Sequence, residues 1–200
     1  MKTIWLFLAR LGTFLYLRLG VYRLWSNIYR AIWERRFRDI PLKIFMDLKE
    51  LGRYLQENSG KWKADSWKQL FDAVSYPAKA QEVFDGRYEA TEGLDCDDYS
   101  AYITNVLDLS LAVTQLPVAN PRFFTVTWMN GWKVGGHNVA LVAVPDGGYA
   151  YMDYGMPTGH ALTPDGVARN VINSYAGKEA VCIVWCVAKK DLSPLVVHWG

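Results

Sequence analysis

Cys96 stands in the run Gly93-Leu94-Asp95-Cys96-Asp97-Asp98-Tyr99, between carboxylates and ahead of apolar residues at helical spacing, Tyr99, Ile103, Val106 and Leu107. Asp95 is a suitable N-cap, and Asp98 follows where the reciprocal member of a capping box belongs. Cys96 is therefore expected as the first residue of a helix. The unpaired N–H groups and positive dipole end at such a position stabilise a thiolate. Asp95, Asp97 and Asp98 oppose that, because nearby negative charge disfavours ionisation of a thiol. An imidazolium partner would tip the balance. His137 occurs in Gly135-Gly136-His137-Asn138-Val139-Ala140-Leu141-Val142, and Asp153 in Tyr149-Ala150-Tyr151-Met152-Asp153-Tyr154. Together Cys96, His137 and Asp153 form a candidate triad. The thiolate would attack an acyl carbon, the imidazole would carry the proton, and the carboxylate would orient the ring.

Such a triad needs a helix start and two adjacent strands. His137, Val139, Leu141 and Ala143 share one face of a strand expected from about Trp132 to Val144, and Tyr149, Tyr151 and Asp153 share one face of the next. Neighbours across adjacent antiparallel strands lie about 5 Å apart, close enough to pair His137 with Asp153. Phe123–Trp128 reads as the preceding strand, with a hairpin turn at Asn130-Gly131. Gly135-Gly136 marks a bulge or a close approach, and Pro145-Asp146-Gly147-Gly148 a turn. A helix over 165–176 and a last strand over 180–188 complete the second half. Upstream, a helix is expected over 41–57, an Asp65-capped helix bearing Trp67, Leu70 and Phe71, and a short helix over 78–84 ending at Gly86. Helices followed by an antiparallel meander make an α+β chain.

The charge is lopsided. Residues 1–38 carry eight basic side chains against Glu34 alone, so the rest of this chain of net +2 is acidic. The expected division is a basic, aromatic helical arm over residues 1–60 and a catalytic domain over 61–200. Uncharged runs in the arm reach about seven residues, well short of the ~18 that a membrane-spanning helix needs. No secretory signal is evident either, because Arg10 interrupts the apolar region. A cytoplasmic or particle-associated location is favoured. The arm is expected to bind another protein subunit, ahead of an anionic membrane or a nucleic acid.

Cys182 and Cys186 lie in an apolar strand and read as small core side chains. His160, in an expected loop, and His198, in the tail, are the minor alternatives to His137. An oxyanion hole would need a donor beside the Cys96 N–H. Trp62, Trp67, Gln69 and Gln81 are the upstream candidates, with none singled out.

Gly93-Leu94-Asp95-Cys96-Asp97-Asp98-Tyr99-Ser100 resembles the Gly-Asp-Cys-Glu/Asp-Asp-Tyr-Ala signature of bacterial transglutaminase-like cysteine proteinases, with Leu94 inserted. The His137–Val142 and Tyr151–Asp153 blocks resemble the His and Asp blocks of that superfamily, and the likeness spans about residues 65–155. It implies a papain-like α+β fold and thiol acyl transfer, usually proteolysis of a polypeptide substrate. Cys96 would be nucleophile, His137 general base and Asp153 orienting acid. Some members hold calcium beside the nucleophile, and Asp95 and Asp97 match those positions, although helix capping already accounts for them. No cofactor is required by this reading. Cross-linking is a variant of it. The alternative is a non-catalytic structural or assembly protein, such as a viral particle component, that keeps the fold and attaches through the arm.

Overall fold

The computed structural model describes residues 4, 7, 8, 10–12, 21–61, 76–89, 94–190 and 192–199. The elements are α1 (Val21–Phe37), α2 (Leu48–Asn58), a 3-10 turn (Ser59–Lys61), α3 (Pro77–Phe84), α4 (Cys96–Leu111), β1 (Ala119–Asn130), β2 (Lys133–Ala143), β3 (Tyr149–Met152), β4 (Thr158–Ala161), α5 (Pro164–Tyr175), β5 (Val181–Ala188) and β6 (Pro194–Trp199). The chain is thus α+β, with a six-stranded antiparallel sheet in the order β4-β3-β2-β1-β5-β6. The expected Asp65-capped helix lies outside the described residues.

Period-two alternation along the strands builds a core on each face. Ala140, Val142, Ala150 and Met152 meet Tyr99, Ile103 and Leu107 of α4 and Leu51 and Leu55 of α2. Val126, Val139, Leu141, Tyr151 and Trp185 turn the other way, onto Val167, Val171 and Ile172 of α5. β1 and β2 close with Asn130 opposite Lys133, so Gly131 and Trp132 form the loop, and Gly131 takes the left-handed φ of 62° that a tight hairpin demands. The register runs unbroken past Gly135, which is a close approach and not a bulge. A Cβ there would meet Trp128 Nε1 at 2.8 Å.

α2 starts at Leu48 and not at Pro41. The Asp47 carboxylate accepts from the Glu50 N–H at 2.7 Å and caps the helix there. The segment before it is held from outside. Gln81 Nε2 donates to the Pro41 carbonyl (2.9 Å), Gln81 Oε1 accepts from Lys43 N (2.7 Å), and Phe45 N donates to Ser110 Oγ (3.0 Å). Tertiary partners here satisfy backbone groups that helical periodicity had allotted to a helix. Because Phe45, Leu48, Leu51 and Leu55 belong to the α4 core, a division at residue 60 cuts through packed side chains.

α1 docks through its aromatic side. Trp33 meets Phe37 and Tyr88, the Arg36 guanidinium lies 4.9 Å from the Tyr88 ring centroid, and Arg30 Nη1 donates to the Lys190 carbonyl. Leu24, Ile28 and Ile32 stay exposed. Among the described residues no helix is long and apolar enough to cross a membrane.

Leu51→Ala is expected to cost about 2–5 kcal/mol, as large-to-small changes in sealed cores do. A fall of the urea midpoint at constant slope checks this. Burial raises the Tyr99 and Tyr102 phenols above their ordinary range. The unfolded chain then releases those protons first, near pH 10, so stability is full below that pH and declines as pH rises through it. Thermal midpoints at rising alkaline pH should fall, and the Tyr99→Phe variant should fall less.

Candidate active site

The start of α4 is built as its sequence predicts. Asp95 Oδ1 accepts from Asp97 N at 3.1 Å, and Asp98 Oδ2 accepts from Asp95 N at 3.3 Å, a complete capping box. Cys96 is the first helical residue and is half-buried, while the carboxylates of Asp97 and Asp98 are enclosed.

β2 and the end of β3 supply the imidazole and the carboxylate. The last register pair, Ala140 opposite Met152, sets Asp153 level with Val139, diagonal to His137 on the same face. His137 Nε2 lies 2.8 Å from Asp153 Oδ2, and their side chains are only 8% and 11% exposed. With Nε2 on the carboxylate, Nδ1 is the ring nitrogen that can exchange a proton with a thiol. Tyr175, the last residue of α5, closes over this pair. Its hydroxyl donates to the same Asp153 Oδ2, and its ring centroid is 3.9 Å from that of His137. Asp153 Oδ1 is buried without a hydrogen-bond partner among the described residues.

Cys96 contacts the next residue along β2. Asn138 Nδ2 lies 3.7 Å from Cys96 Sγ, and Thr125 Oγ1 donates to Asn138 Oδ1 at 2.6 Å. Asn138 points to the α4 face of the sheet and His137 to the α5 face. β3 has ended at this level, so β2 is locally a sheet edge beside the sulfur. Burial first, then the charges of Asp153 and Cys96, raises the Tyr154 phenol. Burial and the Asp153 hydrogen bond chiefly raise Tyr175, to which the Cys96 charge also contributes. These two tyrosines are also the ones whose rings pack toward His137. The structure therefore joins His137 to Asp153 directly, and it sets Cys96 against the neighbouring Asn138, within Coulombic reach of the tyrosines around that pair.

The other histidines are engaged elsewhere. His160 lies on β4, not in a loop, and its Nε2 is 3.1 Å from Asp146 Oδ1. His198 is in the strand β6 and not in an irregular tail, and it stacks on Trp185. Gln81 uses its amide to hold residues 41–43, with Nε2 on the Pro41 carbonyl and Oε1 on Lys43 N. Trp62, Trp67 and Gln69 lie outside the described residues. Burial raises the Cys182 thiol, with Asp165 adding to the shift, and burial pushes Cys186 up to about 11.

Asp95, Cys96 and Asp97 can bring one ligand atom each to within 4.8 Å of one another. The set does not fit calcium, which takes six to eight oxygens. One of the three donors is a soft sulfur, and the Asp95 carboxylate already serves the helix cap.

The chain matches no protein-family model and no curated protein. Its function must therefore be read from its own residues. Among these, Asn138, Thr125, Tyr154 and Tyr175 are the ones sequence reasoning missed. Alternation from His137 carried a signal for Asn138, since the next residue must face α4. Tyr175 carried none, because nothing local ties a helix end to a strand.

Iodoacetamide at neutral pH is expected to label Cys96 in the native protein and all three cysteines after denaturation, read by mass spectrometry. The raised thiols of Cys182 and Cys186 remain protonated at that pH.

Proposed function

We propose that this chain is a thiol-dependent acyl-transfer enzyme, a cysteine-type hydrolase of polypeptide amides, with a papain-like fold of the transglutaminase-like kind. The observation that carries the reading is the His137–Asp153 pair on the sheet edge against which the capped start of α4 sets Cys96. In this reading His137 Nδ1 takes the thiol proton and Asp153 holds the ring through Nε2. Sγ then forms a bond to the acyl carbon. The carbonyl electron pair moves to oxygen, and collapse expels the amine, which leaves with the proton from His137. Water, deprotonated by the same ring, cleaves the thioester and restores the thiol. Tyr175 shields the pair from water and stays protonated throughout.

The second reading is a non-catalytic scaffold attached through the N-terminal segment. Exposed Ile4, Phe7, Leu8 and Leu11, with Leu24, Ile28 and Ile32 of α1, favour it, because such side chains suit another protein subunit. Reaction with a thiol-directed probe separates the two. For the enzyme, His137→Ala slows labelling of Cys96 severely and Asp153→Asn slows it less. A Cys96 that reacts no faster than a free thiol, or is indifferent to His137→Ala, sinks the enzymatic reading.

A further inference from the structure

We propose that Asn138 is a catalytic residue of this site, its carboxamide N–H serving as the second oxyanion donor beside the Cys96 N–H. The inference rests on the acyl-transfer reading and adds a residue to it. Three observations carry it. The amide nitrogen is already on the reacting sulfur, 3.7 Å from Sγ. In a tetrahedral adduct the oxyanion is one carbon removed from that sulfur, so a donor seated against the sulfur can reach it. The orientation is also set in advance. Thr125 is the cross-strand partner of Asn138 in the ladder, and its hydroxyl, 2.6 Å from Oδ1, holds the carbonyl end away from Cys96. A donor held by a rigid strand pair loses little in reorganising when charge develops. Finally, Asn138 stands on the opposite face of β2 from His137. In the proposed reaction the proton carrier and the anion donor would therefore act on the sulfur from different sides of the strand.

The step balances without any added reagent. The thiolate electron pair forms the S–C bond, and the C=O π pair moves to oxygen. That oxygen accepts from the Cys96 N–H, at the first helical position, and from Asn138 Nδ2–H. Neither donor gives up its proton. On collapse the oxygen returns its pair, the C–N bond breaks, and the amine takes its proton from His137.

The experiment compares two reactions at Cys96 in the full chain. Acylation by p-nitrophenyl acetate, followed as the first stoichiometric release of nitrophenolate, passes through an oxyanion. Alkylation by iodoacetamide does not. Both are measured at an alkaline pH where each rate has levelled off. Asn138→Ala is expected to lower acylation about 100-fold more than it lowers alkylation, the usual loss for one oxyanion donor. Asn138→Asp keeps the shape, replaces the donor by an anion, and should lose at least as much. Thr125→Val should lose less, in the same direction. Should Asn138→Ala fail to fold, Asn138→Asp and Thr125→Val decide the matter, with melting curves as the check on folding. An unchanged ratio of acylation to alkylation in folded Asn138 variants overturns this inference and leaves the acyl-transfer reading intact. A wild-type Cys96 that alkylates but is never acylated overturns both.

Discussion

From Val139 to Val142 every residue of β2 points to one of two cores, and the strand has no freedom to choose which. Its pairing with β1 is continuous from Leu141 to Lys133, so Val139 and Leu141 are committed to α5 while Ala140 and Val142 are committed to α4. A slip of one residue would exchange the faces and bury the wrong set. His137 and Asn138 inherit their directions from this constraint, although neither is an apolar core residue. The short β3 supplies the other half of the geometry. It ends at Met152, so Asp153 and Tyr154 leave the ladder beside His137, and β2 becomes an edge just where Cys96 sits.

The site is stabilised from several directions at once. Asp153 accepts from both His137 and Tyr175 through one oxygen, within an enclosed setting where hydrogen bonds to a charged group contribute more than in water. α5 is positioned by Val167, Val171 and Ile172, which are buried against the sheet, and this packing brings its last residue over the imidazole. On the opposite face, Tyr99 of α4 donates to the Asn58 carbonyl at the end of α2 and meets the Tyr154 ring. The helix that carries the thiol is thus tied to both the N-terminal helices and the segment that carries Asp153.

Residues 41–58 behave as part of this body and not as an appendage. A division at residue 60 groups them with the basic N-terminal segment, although their own charges cancel, and charge reports where solvent and partners are met, not where the core is. Leu51 and Leu55 are wholly enclosed, and Gln81 and Ser110 hold the irregular stretch that leads into α2. α1 is different in kind, since it docks by aromatic and cation–π contacts along one side and leaves Leu24, Ile28 and Ile32 facing outward.

Local physics made much of this legible in the sequence. The capping box fixed the start of α4 at Cys96, because both of its hydrogen bonds close within four residues. Alternation placed His137 and Asp153 on matching faces, because side chains along a strand have a period of two. The turns at Gly86, Gly131 and Gly147 followed from residues that accept positive φ. Tertiary structure decided what these local rules do not contain. The late start of α2 depends on Gln81 and Ser110, partners distant in sequence. β6 has an exposed, weakly patterned sequence and forms because β5 offers an open edge. Tyr175 meets His137, and Asn138 meets Cys96, only because two cores press a helix onto each face of one sheet. Contacts of that range are set by packing, for which a single sequence carries no local sign.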